Sequence, residues 1–337
     1  NPSTGSDTVT QPVIIVAGPT ASGKSGLALA MGEAITKARG GTDGAVIINA
    51  DSMQLYRELR IVTACPTPAD RRRLPHKLYQ VLAATEPNSA MDWRKMALAE
   101  IEAAHQAGQV PILVGGTGFY IKALIEGLSP IPPVPEHITA DSRARLEEEG
   151  PEALHAALKT RDPVMASKLR SSDGQRIARA WSVLQATGMS LADWQALDPK
   201  PPPKHLRFYV EVVMPDRSWL YKQCDYRFAL MAATGGLDEV AALLDMNLPL
   251  STGLLRAVGV PELASFIRGE QELEAAIAAG QQSTRHYAKR QYTWFRNQLA
   301  PTNRRQIRRK RPSVQKLQVS HVDSAQLSES FKAEFCK

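Results

Sequence analysis

Three short runs of apolar, largely β-branched residues punctuate the first third of the chain: Val13-Ile-Ile-Val-Ala17, Ala45-Val-Ile-Ile-Asn-Ala50 and Val110-Pro-Ile-Leu-Val114. None alternates with polar residues, which predicts strands covered on both faces, as in a parallel sheet. Helical spacing fills the gaps. Leu27, Ala28, Met31, Ala34, Ile35 and Ala38 follow the first run. Trp93, Ala97, Ile101 and Ala104 precede the third, with Asp92 expected as N-cap and Gly108 as the stop. Strands alternating with helices predict an α/β fold. A fourth run, Phe208-Tyr-Val-Glu-Val-Val-Met214, returns the chain to the sheet.

Between the third and fourth runs the pattern changes. Leu128-Ser-Pro-Ile-Pro-Pro-Val-Pro135 and Asp198-Pro-Lys-Pro-Pro-Pro-Lys204 are stiff hinges. Residues 136–198 between them read as helices only, which predicts an inserted lobe. After the fourth run, helices are expected over about 217–233 and 238–245. A loop or short turn is expected over 254–261. A helix near 283–299 carries an apolar stripe (Ala288, Tyr292, Phe295, Leu299) and beside it a cationic one (Arg285, Lys289, Arg296). Residues 60–92 read as loop-rich. The expected organisation is a disordered lead at 1–12, a core at 13–131, the helical lobe at 132–203, the core resumed at 204–303 and a basic, loosely ordered tail at 304–337.

Charge adds a direction. Ten of the 41 Lys/Arg and no Asp or Glu lie within 281–311, leaving 31 basic against 34 acidic residues elsewhere. A basic zone confined to one region is the footprint of a polyanion contact, or else a solvated face. No apolar run reaches the ~20 residues of a membrane span. Asn1–Gln11 is polar, so no secretory leader is expected. Cys65, Cys224 and Cys336 are few, odd in number and far apart, which argues against a disulfide framework or a zinc ribbon and fits a reducing compartment.

The chemistry gathers where strands end. Gly18-Pro19-Thr20-Ala21-Ser22-Gly23-Lys24-Ser25 matches G-x-x-x-x-G-K-[ST], between a strand and a helix as that phosphate-binding loop requires. Its N–H groups and the helix N-terminus would surround an anion. Lys24 would reach the outer phosphate, and Ser25 would ligate Mg²⁺. The second run delivers Asp51-Ser52, where Asp51 either faces the phosphate site or caps the following turn. The third ends in Gly115-Gly116-Thr117-Gly118, making Thr117 a candidate hydroxyl donor. Open α/β sheets bind ligands at this edge. In the helical block, Arg176 and Arg179 stand at i, i+3 on one face.

Taken together, these segments resemble the tRNA dimethylallyltransferases, the bacterial isopentenyl-tRNA transferase family. Besides the P-loop, the resemblance rests on Asp51-Ser-Met-Gln-Leu-Tyr-Arg57, Ile61-Val-Thr-Ala64, Pro75-His76, Asp92-Trp-Arg94, Val114-Gly-Gly-Thr-Gly-Phe-Tyr120 and Gly127-Leu-Ser-Pro130. It continues through Asp173-Gly-Gln-Arg-Ile-Ala-Arg-Ala180, Arg256-Ala-Val-Gly259 and Thr284-Arg-His-Tyr-Ala-Lys-Arg-Gln-Tyr-Thr-Trp-Phe-Arg296. Three places depart from the family pattern. Cys65 stands at a usual Lys, Val260 at a usual Tyr, and Lys77 and Tyr79 alter a Pro-His-His-Leu-Ile-Asp stretch.

The resemblance implies an α/β fold: a P-loop NTPase-like parallel-sheet core with an inserted all-helical lobe that grips the tRNA anticodon stem-loop. It implies transfer of a dimethylallyl group from dimethylallyl diphosphate to N6 of adenine 37 in tRNAs that read codons beginning with U. Asp51 is then the general base, with Thr20 and Thr117 as donors near the reacting groups. Residues 18–25 hold the diphosphate, with Mg²⁺ on Ser25. The implied tRNA contacts are Asp51, Ser52, Met53, Gln54, Thr117, Arg143, Gln175, Arg176, Ile177, Ala178, Arg179, Arg256, Arg285 and Lys289. A cytoplasmic monomer is expected. Competing readings are a prenyltransferase acting on a free adenine nucleotide, a small-molecule P-loop kinase and a non-catalytic RNA-binding protein.

Overall fold

The computed structural model describes residues 10–41, 43–299, 314–316 and 329–336. The chain divides into two compact units, one of residues 1–125 and 203–337 and the other of residues 126–202.

The larger unit is built on a parallel sheet. Its strands are β1 (Gln11–Ala17), β2 (Ala45–Asn49), β3 (His76–Lys77), β4 (Val110–Gly115), β5 (Leu206–Val212) and β6 (Val314–Lys316), in the order β3-β2-β4-β1-β5-β6. Among the described residues every strand pairing is parallel. The apolar runs are uninterrupted because successive side chains enter different cores. Val13, Ile15 and Ala17 pack on one face with Trp93, Ile101, Ile121 and Phe295. Ile14 and Val16 pack on the other with Leu27, Met31 and Ile35 of α1 (Lys24–Ala38).

Around this sheet stand α2 (Pro68–Arg73), α3 (Ala90–Gln106) and α4 (Gly118–Glu126). The Asp92 expectation is corrected by one turn. Ser89 is the N-cap of α3, and Asp92 is the third residue of a capping box: its carboxylate accepts from Ser89 N–H at 2.9 Å. Both residue types suit a cap, and only the backbone path separates them.

The smaller unit contains α5 (Glu136–Glu149), α6 (Pro151–Arg161), α7 (Pro163–Ser167), α8 (Gly174–Thr187) and α9 (Leu191–Ala196), with no strand among its residues. Leu154, Leu158, Ile177, Trp181 and Leu184 form its core. The guanidinium carbons of Arg145 and Arg161 lie 4.6 and 5.4 Å from the Trp181 ring centre. Its entry and exit segments run side by side: Lys200 N–H donates to Leu128 O at 3.2 Å. Gly127, at φ +87°, leaves no room for a Cβ, which would fall 1.9 Å from Lys200 O.

After β5, α10 (Arg217–Met231) is followed by a kink at Ala232–Gly236, where Thr234 and Gly235 leave helical geometry with Gly235 at φ +106°, and then by α11 (Leu237–Asp245). Then come a 3₁₀ turn at Gly253–Arg256, α12 (Val260–Ile267) and α13 (Leu273–Gln298). Two sequence expectations change here. The stretch read as a loop or short turn at 254–261 is a 3₁₀ turn at its start, but its last two residues begin α12, with Pro261 in the first turn where a missing N–H costs nothing. Helix α13 begins ten residues before 283, because its first half is alanine-rich and lacks the apolar stripe that marks the second.

The expected loosely ordered tail contains β6, which pairs with β5, and α14 (Glu329–Phe335). Phe331 and Phe335 of α14 are buried against Ile14, Val16 and Tyr209. Elements of three and seven residues are too short to show a period. Arg304–Arg311 and most of the expected disordered lead lie outside the described residues.

Candidate active site

The P-loop leads from β1 into α1 with Gly23 at φ +85°, in the left-handed region that glycine enters without strain. Gly18 has a different reason to be glycine. A Cβ there would fall 2.6 Å from Val213 O and 2.9 Å from Ser22 Oγ. Ser22 is fully buried, and its hydroxyl has no hydrogen-bond partner among the described residues. Lys24 Nζ donates to Pro19 O at 3.2 Å, folded back over its own loop. Burial, and next the charge of Arg227, hold its pKa down at about 8, with Asp51 pulling the other way. Ser25 is exposed at the start of α1.

Asp51 follows β2 and does two things. Its Oδ1 accepts from Met53 N–H at 3.0 Å, fixing the 3₁₀ turn Met53–Leu55. Its charge also acts on Lys24 and Arg227, raising both their pKa values against the lowering effect of burial. Of the two readings of Asp51 left open by its position, the bond from Met53 N–H gives the one in which it caps the following turn.

Thr117 ties the third strand end to the second. Its Oγ1 accepts from Ser52 N–H at 3.0 Å and lies 3.3 Å from Ser52 Oγ. Gly115, beside it, packs so tightly that a Cβ would fall 2.1 Å from Ala50 C and O.

Two residues to which the sequence reading gave no role complete the arrangement. Arg227 of α10 donates through Nη2 to Thr20 Oγ1, and its buried Nε has no hydrogen-bond partner among the described residues. Burial lowers its pKa. A guanidinium with a spare donor beside the P-loop suits a diphosphate. Gln291 of α13 is buried and joins both glycine-rich turns. Its Oε1 accepts from Thr20 N–H at 2.8 Å, and its Nε2 donates to Gly116 O at 2.9 Å. A helical position with a polar side chain among apolar neighbours was the one available signal for Gln291. Arg227 had none, since one arginine on an exposed-looking helix resembles any other.

The remaining candidates are dispersed. Arg285 pairs with Asp225 of α10 within its own unit. Lys289 lines an open groove of about 560 Å³ along α13 with His286, Arg290, Thr293, Trp294, Asn297 and Gln298. Gly118 makes room for Trp294, whose ring atoms would stand 2.2 Å from a Cβ there. Arg256 is exposed, and its Nη2 donates to Ser251 O at 3.3 Å. Met53 packs in part against the helical cluster of α10–α12.

In the smaller unit Gln175, Arg176 and Arg179 are exposed on α8; Arg176 pairs with Asp173 at 3.4 Å and Arg143 with Glu136 at 3.7 Å. Ile177 and Ala178 are a correction. Both side chains are buried in the lobe's own core, the inward face of a helix whose outward face carries the arginines. Cys65 is also buried, and burial pushes its thiol up to about 11. Like Cys224 and Cys336 it is a free thiol.

A model of the IPP transferase family matches residues 54–298. The chain belongs to this family. Among its relatives, the tRNA dimethylallyltransferase of Rhodospirillum centenum is 48% identical over 295 residues, covering 88% of this chain and 91% of that one. That of Paramagnetospirillum magneticum is 49% identical over 288 residues, covering 86% and 89%. A crystal structure of the tRNA isopentenylpyrophosphate transferase of Bacillus halodurans superposes with a TM-score of 0.58 at 28% identity, covering 91% and 89%. A eukaryotic dimethylallyltransferase acting on tRNA reaches a TM-score of 0.73 over 96% of this chain and 78% of its own, and at 23% identity it speaks for the fold alone. The IPP transferases share the P-loop NTPase-like core expected from the sequence, and among the described residues no helix is long and apolar enough to cross a membrane.

Proposed function

We propose that this IPP transferase moves a dimethylallyl group from dimethylallyl diphosphate to N6 of an adenine in tRNA, releasing diphosphate. The target is adenine 37 of tRNAs that read codons beginning with U, and the enzyme acts as a monomer in the cytoplasm. The observation that carries the reading is the gathering of charged and polar groups at the ends of the first three long strands: Arg227 bonds Thr20 of the P-loop, Thr117 bonds Ser52 beside Asp51, and the Asp51 charge raises the pKa of both Lys24 and Arg227.

The chemistry follows from that polarity. Breaking the C–O bond of the prenyl diphosphate builds negative charge on the leaving oxygen. Lys24, Arg227, the P-loop N–H groups and the Thr20 hydroxyl are the donors placed to receive it. The exocyclic amine of adenine is a weak nucleophile, and as its N–C bond forms it must lose a proton. Asp51, already anchored by Met53 N–H, is the base that takes it. The base reaches this channel by leaving the loop stack, which is least costly in a single-stranded anticodon loop.

Mg²⁺ fits the donors present. Among the described residues no cluster of three or more His, Cys, Asp or Glu could hold a metal ion. A Mg²⁺ held by Ser25, diphosphate oxygens and waters needs none. When bound, it would neutralise charge on the departing diphosphate.

The deciding experiment incubates the protein with labelled dimethylallyl diphosphate and either tRNA or AMP, followed by mass spectrometry of the nucleosides. Label in tRNA adenosine is expected. Label in AMP alone would move the assignment to a nucleotide prenyltransferase, and no transfer with ATP hydrolysis instead would favour a kinase.

A further inference from the structure

Four hydrogen bonds join the carboxylate of Glu239, on α11, to three consecutive backbone groups. Arg60 N–H donates to Oε1 at 2.5 Å, Ile61 N–H to both oxygens at 2.9 Å, and Val62 N–H to Oε2 at 2.8 Å. Successive N–H groups converging on one point form a backbone anion nest. Here the chain's own carboxylate occupies it, through charge-assisted bonds roughly twice as strong as neutral ones. None of these residues has a part in the reaction described above.

The geometry points to Glu239 as a positioning residue for prenyl transfer: it locks the 59–65 loop, and the loop in turn fixes Gln54 and the turn that carries Asp51. This rests on the functional reading above.

The loop is closed on itself. Ala64 N–H donates to Ile61 O and Cys65 N–H to Arg60 O, each at 2.9 Å, and the Thr63 hydroxyl donates to Leu59 O. Its outward-facing carbonyls, Thr63 O and Ala64 O, accept from Gln54 Nε2 at 2.8 and 3.0 Å. Ala64 sits at φ +56°, a left-handed conformation that a non-glycine residue seldom adopts. Surroundings hold it there, not local preference. Gln54 belongs to the 3₁₀ turn that Asp51 Oδ1 fixes through Met53 N–H. A continuous run of hydrogen bonds thus leads from Glu239 to the proposed base.

The preceding helix reaches the P-loop. Arg227 on α10 bonds Thr20, and α10 is joined to α11 by the kink at Thr234 and Gly235. Two glycines let the loop come close: a Cβ on Gly235 would fall 2.9 Å from Ile61 Cδ1, and one on Gly259 3.2 Å from Val62 Cγ1. Leu59, Val62, Phe228 and Val240 share one core. Two consecutive helices, joined by the kink at Thr234 and Gly235, therefore hold the diphosphate side of the site with Arg227 and the nucleobase side with Glu239. A displacement of the order of 1 Å between the two would lower the rate about 10²-fold.

The test is steady-state transfer from labelled dimethylallyl diphosphate to tRNA by the full chain. Turnover by the unaltered protein tests the functional reading, so failure there is separate from failure of the inference. Glu239→Gln keeps the shape and removes the charge. It is expected to lower kcat about tenfold or more, while the KM for dimethylallyl diphosphate stays within about twofold. Gln54→Ala, which leaves the nest untouched, is expected to show the same split. The double variant is expected to lose no more than the worse single one, because both act through one path. If Glu239→Gln fails to fold, Glu239→Asp, which keeps the charge on a shorter arm, replaces it in the cycle. Unchanged kcat in either single variant, losses that multiply, or a matching loss of diphosphate affinity overturns the proposal.

Discussion

Gln291 holds Thr20: the buried side-chain carbonyl of a helical glutamine accepts the N–H of a P-loop residue at 2.8 Å, while its amide secures Gly116 O at 2.9 Å. The two residues are 271 apart in sequence. The bond uses one P-loop N–H to fix the loop's shape before any anion arrives, so the remaining donors meet a diphosphate already oriented.

Replacing Gln291 with Leu removes both bonds at constant bulk. A buried N–H and a buried C=O are left unpaired, each costing about 1–3 kcal/mol. Denaturant unfolding is expected to show a midpoint lowered accordingly. Inorganic diphosphate is expected to bind more weakly than to the unaltered protein when followed by calorimetry.

Lys24 makes diphosphate binding depend on pH. Its pKa in the folded chain is about 8, below the 10.5 of an ordinary lysine, chiefly through burial. A bound diphosphate favours the charged amine, so affinity is expected to be constant below about pH 8 and to fall as pH rises through that value. Binding near pH 8 is expected to take up protons, read as a dependence of the heat on buffer ionisation. The effect on folding has the opposite direction. Between about pH 8 and 10.5 the unfolded chain binds more protons at this site than the folded one, so the Lys24 contribution to stability rises with pH over that window. Lys24→Arg is expected to remove the inflection in affinity.

Asp51→Ala separates the two roles of the carboxylate. Loss of the proposed base is expected to reduce transfer at least ~10²-fold. Loss of the bond from Met53 N–H loosens a single turn, so circular dichroism and diphosphate affinity are expected to change little. Turnover close to that of the unaltered protein would remove Asp51 from the reaction.

Gly115→Ala tests how tightly the strand ends are packed. The new Cβ would stand 2.1 Å from the Ala50 carbonyl, an overlap with backbone that no rotamer relieves. Overpacking typically costs about 1–3 kcal/mol, and the loss is expected in thermal unfolding. Because Ala50 precedes Asp51, transfer is expected to fall by more than the folded fraction does.

Phe331→Ala tests the C-terminal helix. Phe331 is fully buried among residues of β1, α1 and β4. A cavity of that size typically costs about 3–5 kcal/mol. A melting temperature unchanged within a degree would show that α14 does not contribute to this core.

Local pattern carried much of the architecture. Uninterrupted β-branched runs marked four of the strands, because a strand covered on both faces has no polar side to show. The P-loop was legible because phosphate binding needs particular residues at fixed spacing. Short elements were not legible: β3 and β6 have two and three residues, and α2 is a six-residue helix within a Pro-rich stretch. Ile177 and Ala178 were misplaced because a motif, read as a string, does not say which of its members face inward.

What the sequence determined alone was the set of chemical groups: a phosphate loop at 18–25, an acid at 51, a hydroxyl at 117, each at the carboxyl end of a predicted strand. What only the tertiary structure decided was how they are held. Arg227 reaches Thr20, Gln291 bridges two glycine-rich turns, and Glu239 fills the nest at 60–62. A motif is local because backbone geometry fixes it over a few residues. These three side chains act on partners more than 170 residues away, and nothing in the spacing of a linear chain encodes a contact that exists only once helices have packed on the sheet.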